Sequence, residues 1–405
     1  MAPTPEAFLL FPSEDIVSSE IQSPSRAIPS PRIFEFDILR VLALFTILLG
    51  HSTSYVAPLP IVDVLYRPFT TAGLSTFFFL SGFGLQLSAQ GGRDRQLRWW
   101  ASLKRRLTRI YPLYLVAVAV YVILFHYLRI FHPANYSPVA RMVIAHATSL
   151  QMFLFPKAAT AMTIWFVGAI VPYYLLFTAL RHKTDKLFLS LNVLAWSLLI
   201  LIKVALEFAG VELIDTRIID FFPLFLLGCW LARKRGWMDF FKRLRFILFP
   251  ASFVAFMGMS EFMERMGYKD LTSRLIFSQT FGHLSAHFLN IIYCSLGVTF
   301  LIAASFVAGA WLKYRSPIIL RLGALSYAAY LFHRIIYPAF YFPTSQWLGW
   351  DKSTNLFLLP VAILCILFIS HGMTVMEAQY LQPWFSRGLN GLEQVGRWMR
   401  AKVWS

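Results

Sequence analysis

The apolar residues of this 405-residue chain come in blocks about as long as a bilayer is thick, and that segmentation limits the folds open to it more than anything else. A spanning helix needs roughly 20 apolar residues. Blocks of that kind lie near 38–57, 67–88, 110–129, 162–181, 187–207, 219–233, 245–262, 288–311, 321–341 and 355–376. Backbone polar groups in lipid must be paired within the protein, which for such blocks means helices. The expected fold is all-α, a polytopic transmembrane bundle of about ten spans. The stretch from Pro138 to Phe155 is apolar but carries Arg141 and His146, and reads as a short interfacial or re-entrant helix. Hydrophobic residues make up 58% of the chain and charged ones 14%, whereas a soluble domain carries about a quarter charged residues.

The formal net charge of +17 invites a nucleic-acid reading, so its distribution decides the matter. With the N-terminus placed in the cytoplasm, 26 of the 37 lysines and arginines fall on the cytoplasmic side, ten fall outside, and Lys203 lies within a span. This is the positive-inside signature. The charge is topological, its partner is the bilayer, and no nucleic acid is implied. An even number of spans returns the C-terminus to the cytoplasm. Residues 1–35 are rich in Ser, Pro and acidic groups and read as a disordered cytoplasmic tail. Residues 36–380 form the transmembrane domain, and 381–405 a cytoplasmic C-terminal tail. The N-terminus has no basic segment ahead of an apolar core and so does not read as a signal peptide. Cys229, Cys294 and Cys365 fall in separate spans and suggest neither a disulfide framework nor a metal site. No internal repeat is visible.

Ionisable groups within an apolar helix are expensive and read first as functional. Arg40 and His51 lie eleven residues apart in the first block. That is three turns plus roughly 20°, which puts both on one face about 16 Å apart along the axis. A neutral imidazole in the outer half of the bilayer is suited to taking a proton from an alcohol. The competing reading is a structural histidine bonded to a backbone carbonyl. Lys104-Arg-Arg-Leu-Thr-Arg109 opens a span on the cytoplasmic side. Its Arg106 and Arg109 share a helix face, and guanidinium forks suit phosphate oxygens. Ordinary flanking charge is the alternative for any one of them.

The run Ser75-Thr-Phe-Phe-Phe-Leu-Ser81-Gly-Phe83 reads as close helix packing around small residues. Trp165, Tyr173 and Tyr174 are equally suited to an aromatic belt or a pocket lining. Ser326, Tyr330 and His333 fall within about 60° on one helix wheel, a polar stripe inside a span. Glu377, closing the last span, has the form of a snorkelling carboxylate.

In this order the pieces resemble the acyltransferase-3 family of membrane O-acyltransferases. The matching segments are Phe36-Asp37…Arg40…His51, Phe78-Phe79-Leu80-Ser81-Gly82-Phe83, Arg105-Arg106…Arg109-Ile110-Tyr111-Pro112, Trp165 ahead of Tyr173-Tyr174, Phe222-Pro223 through Gly228, and Gly323…Ser326-Tyr327…Tyr330…His333. The resemblance implies transfer of an acyl group, commonly acetyl, from cytoplasmic acyl-CoA to a hydroxyl of a carbohydrate, lipid or small-molecule acceptor. His51 matches the family's catalytic histidine and Arg40 its arginine partner. Tyr330 and His333 are further catalytic candidates. Arg105, Arg106, Arg109 and Ser81 are candidates for the acyl-CoA site, and Trp165, Tyr174 and Ser326 for the acceptor. No permanently bound cofactor or metal is expected. Gly168-Ala169 stands where many relatives carry a glutamate, and Glu377-Ala-Gln departs from the family's closing Glu-x-Pro. A transporter of a polysaccharide or lipid intermediate, with the buried histidines as a proton relay, is the rival reading.

Overall fold

The computed structural model describes residues 33–57, 60–91, 99–124, 139–154, 164–211, 213–234, 236–266, 282–312 and 316–403. Among them there is no strand. The helices are α1 (Phe34–Ser52), α2 (Pro60–Gln90), α3 (Trp99–Val122), α4 (Val139–Ala147), α5 (Gln151–Leu154), α6 (Trp165–Leu180), α7 (Asp185–Phe208), α8 (Arg217–Asp220), α9 (Phe222–Arg233) and α10 (Gly236–Arg265). Then follow α11 (Gly282–Trp311), α12 (Pro317–Trp347), α13 (Lys352–Asn355), α14 (Leu359–Met376) and α15 (Gln382–Val403). All ten apolar blocks are occupied by helix in whole or part. Five helices are long and apolar enough to cross a membrane, over Pro68–Gln90, Asp185–Leu206, Gly236–Arg265, His287–Trp311 and Lys352–Gly391. The chain is an all-helical membrane protein. The N-terminal tail assigned to 1–35 lies almost wholly outside the described residues.

Burial separates an inner from an outer set. The apolar window of α2 is 72% buried, those of α7, α10 and the last long helix only 17% each. Leu194, Leu198 and Leu201 on α7, Phe246, Ile247 and Val254 on α10, and Leu364 and Phe368 on α14 are exposed, as suits a lipid-facing surface. The inner set is α1, α2, α9, α11 and α12. α1 packs on α2, α11 and α12, while α2 packs on α9 and α11.

The phenylalanine–glycine run makes the tightest of these crossings. A Cβ on Gly82 would stand 2.0 Å from the Phe225 carbonyl oxygen, and one on Gly228 2.1 Å from that of Phe79. The two glycines therefore let the backbones of α2 and α9 touch, the small-residue packing that drives helix association in lipid. Residues 139–154 form two short helices joined by a reversal at Ser149 (φ 57°), whose side chain meets Tyr111 midway along α3 at 2.6 Å.

The last described segment is not a loose tail. After a π-helical turn at Glu377–Leu381, α15 folds back on α3. Lys104 pairs with Glu393 at 3.1 Å and also bonds Asn390. The rings of Tyr111 and Phe385 stack at 6.0 Å.

Candidate active site

α1 carries Glu35 and Asp37 in its first turn, where acidic groups suit the helix dipole, and His51 in its last. α12 starts at Pro317, after extended Ser316, the favoured first helical position for proline. The two helices lie side by side, tied where the Tyr337 hydroxyl donates to the Leu48 carbonyl at 3.0 Å. That contact brings His51 and His333 face to face. Their rings are parallel to within 4°, with centroids 5.1 Å apart.

The surroundings of the two rings differ. His333 is fully buried. Its Nδ1 donates to the Tyr330 carbonyl at 2.8 Å, with Ala329 at 3.2 Å, and its Nε2 is buried with no hydrogen-bond partner among the described residues. His51 is half-buried. Arg334 Nη2 donates to His51 Nδ1 at 3.2 Å, and the same guanidinium bonds the Tyr55 hydroxyl. Tyr55 is placed by the turn after α1, where Ala57 N donates to the Lys352 carbonyl at 2.8 Å. Its ring stacks on Tyr341 at 5.9 Å.

Arg40 pairs with a carboxylate one turn away on α1. Its Nη1 is bonded to Asp37 Oδ1 at 2.8 Å, with Asp37 buried and Arg40 37% exposed. Eleven residues of helix place it about 16 Å from the imidazole along the axis. Arg40 and His51, expected on one face of α1 and about 16 Å apart, thus each have a nearer partner, Asp37 for Arg40 and Arg334 for His51. Arg334 was legible only as an arginine inside an apolar block.

Of the polar stripe on α12, Tyr330 reaches the pair. It is buried, its ring 6.0 Å from that of His333 and 5.4 Å from that of Phe166. Ser326 does not reach the pair. It lies about 10 Å down the axis from His333, and its hydroxyl donates to the Gly323 carbonyl at 2.9 Å, as serines within helices commonly do.

At the other end of the bundle the arginines divide. Arg105 and Arg109 are exposed and, with Ala101, Lys104, Thr108, Gln382 and Ser386, line a groove of about 520 Å³ between α3 and α15. Arg106 turns toward α2, its Nη2 3.5 Å from the Leu85 carbonyl. Tyr174 is buried, bonded to the Ser81 hydroxyl, and within electrostatic range of Arg106 and Arg109. Tyr174, expected at the acceptor, and Ser81, expected at the acyl-CoA, therefore share one place beside the arginines. Tyr327 donates to the Ile110 carbonyl at 2.9 Å and lies within range of Tyr174, Tyr330 and Glu377. A file of hydroxyls thus runs from the arginines to the histidines. Glu377 does not snorkel. It is buried and bonded to Gln382, within range of Arg109.

Trp165 is buried against the stacked pair Phe78 and Phe221, and Arg217 covers its ring at 4.5 Å. Asp215 holds Arg217 in a two-pronged pair, at 2.9 and 2.5 Å. Next to Trp165, the space where Gly168 lacks a side chain is filled by Gln151, whose Nε2 stands 2.2 Å from a Cβ built there. Gln151 also donates to the Tyr114 hydroxyl at 3.1 Å. A polar group therefore reaches this position from α5. Among the described residues no group of three or more His, Cys, Asp or Glu is placed to hold a metal ion.

A family model described as an acyltransferase domain, that of the acyltransferase-3 family, matches residues 33–374. The chain belongs to that family. It is a membrane acyltransferase, and the matched region takes in both the histidine pair and the basic end of α3. No curated protein and no solved structure matches the chain.

Proposed function

We propose that this acyltransferase moves an acyl group, acetyl in the first instance, from cytoplasmic acyl-CoA to a hydroxyl of a carbohydrate, lipid or small-molecule acceptor. The chemistry takes place at the His51–His333 pair. The bundle has ten spans with both termini in the cytoplasm, so the α3–α15 groove faces the cytosol and His51 the outer half of the bilayer. The observation that carries the reading is the stacked histidine pair inside the bundle, with Tyr330, Tyr327 and Tyr174 in succession between it and the arginines.

Coenzyme A carries phosphates that do not enter lipid. Arg105, Arg106 and Arg109 suit them because guanidinium forks match phosphate oxygens. The narrow pantetheine arm passes Ser81 and Tyr174 and presents the thioester to the histidines. There the acceptor oxygen attacks the carbonyl carbon as an imidazole takes its proton, and the C–S bond breaks to release the thiol. General-base assistance of this kind contributes about 10²–10⁴ in rate. The bundle wall around the pair excludes water, which protects the thioester from hydrolysis. Trp165, with Arg217 on its face, lies beside Phe166 and Tyr330 and lines the acceptor side. The transporter reading has no comparable support, since the family is one of acyltransferases.

The test uses full-length protein in nanodiscs. Coenzyme A should raise its unfolding temperature, and labelled acetyl-CoA with a membrane extract as acceptor source should give a labelled ester. Neither stabilisation by coenzyme A nor consumption of the thioester would overturn the proposal.

A further inference from the structure

We infer that the two histidines have opposite roles, with His333 the general base and His51 a hydrogen-bond donor to the oxyanion. The inference rests on the acyl-transfer reading but is drawn from the protons that the hydrogen bonds require. A guanidinium has only N–H groups and can only donate. The Arg334–His51 contact at 3.2 Å therefore takes the lone pair of His51 Nδ1. In the neutral ring the proton must then sit on Nε2, and His51 has no nitrogen left to act as a base. His333 is the reverse case. Its Nδ1 faces two carbonyl oxygens, Tyr330 at 2.8 Å and Ala329 at 3.2 Å, and carbonyls only accept. The proton is on Nδ1, so Nε2 carries the lone pair, and that atom is buried without a partner among the described residues.

Leaving a polar atom unpartnered in an interior is costly, and it persists where a ligand completes it. An acceptor hydroxyl is the group that fits, because it donates to Nε2 as it begins to lose its proton. With the ring centroids 5.1 Å apart, a hydroxyl and the carbonyl it attacks, roughly 3–3.5 Å from each other at the point of reaction, can address one ring each.

The acceptor oxygen forms its bond to the thioester carbon while its proton passes to His333 Nε2. The carbonyl oxygen becomes an oxyanion held by His51 Nε2–H. The C–S bond then breaks, the proton on His333 goes to the departing sulfur, and the products are the ester and free thiol. A neutral imidazole with its N–H free can serve as the electrophile.

Glutamine separates the roles, because its amide donates near the position of Nε2–H but takes up no proton. His51→Gln should lose less than the roughly 10²-fold expected when an oxyanion donor is removed, whereas His333→Gln should lose about 10²–10⁴-fold. The opposite ranking would overturn the assignment. A second measurement does not depend on activity: nitrogen NMR of the full chain labelled with ¹⁵N-histidine, with the two signals identified by their loss in these variants. His51 should show protonated Nε2 and bare Nδ1, and His333 the reverse. The same tautomer in both rings, or His51 with bare Nε2, would refute it. A wild-type protein that transfers nothing yet shows the two tautomers would sink the proposed function and leave the proton placement standing.

Discussion

Replacing Arg334 by methionine keeps most of its apolar stem and removes the fork that holds His51. The guanidinium's hydrogen bond to His51 Nδ1 is 3.2 Å long, and a bond to a charged group contributes about 1.5–3 kcal/mol. If that free energy serves to hold the ring and its tautomer for the transition state, its loss appears in the barrier. At 1.36 kcal/mol per factor of ten, kcat should fall by about 10- to 10²-fold. The KM for acetyl-CoA should not move, because the groove of Arg105 and Arg109 lies at the other end of the bundle. Stability should fall by no more than about 1–3 kcal/mol, because methionine keeps the apolar packing while His51 Nδ1 and the Tyr55 hydroxyl lose the guanidinium as a partner. The assay is the initial rate of labelled-acetyl transfer over a range of acetyl-CoA concentrations, with thermal unfolding in parallel. A kcat within twofold of the natural protein's, or a loss confined to the donor KM, would refute the role given to Arg334.

Arg105→Ala with Arg109→Ala should raise the KM for acetyl-CoA by about tenfold or more, since each lost charge-assisted bond contributes about 1.5–3 kcal/mol; an altered acceptor KM with unchanged donor dependence would place the donor elsewhere. Gly82→Ala puts a methyl 2.0 Å from the Phe225 carbonyl and should destabilise by about 1–3 kcal/mol, read as a lower unfolding temperature, while Gly84→Ala, with nothing within 4 Å, should not. Removing residues 382–405 strips Gln382 and Ser386 from the groove and should weaken stabilisation by coenzyme A. Lys104→Ala should do so only slightly, because a part-exposed ion pair contributes about 0–1 kcal/mol. A truncated protein that binds coenzyme A as well as the full chain would show that α15 is not part of the site.

The membrane helices were legible because hydropathy is a property of each segment alone. The close packing at Gly82 was legible for a similar reason, a small residue among phenylalanines having few other uses in lipid. His51 stood out as a polar atom in an apolar helix. Its partner did not, because helix periodicity reports which face a residue occupies and says nothing of what lies opposite. Arg40 shares that face, but Asp37, one turn away, holds it, and Arg334 arrives from 283 positions along the chain. Ser326 joined the stripe by angle while its hydroxyl turned to its own backbone. Tyr174 was placed with the acceptor by its sequence neighbourhood, and only the crossing of α2 and α6 puts it against Ser81. Gln151 filling the space at Gly168 had no sequence signal, since the two residues belong to different elements.

One measurement bears most directly on whether acyl transfer occurs at the histidine pair: a single turnover with His51→Ala, labelled acetyl-CoA saturating and protein whose unfolding temperature matches the parent. The account predicts that coenzyme A still stabilises this variant while ester formation falls by at least about 10²-fold. Ester formed at the parent rate by the well-folded variant would place the reaction somewhere else in the molecule.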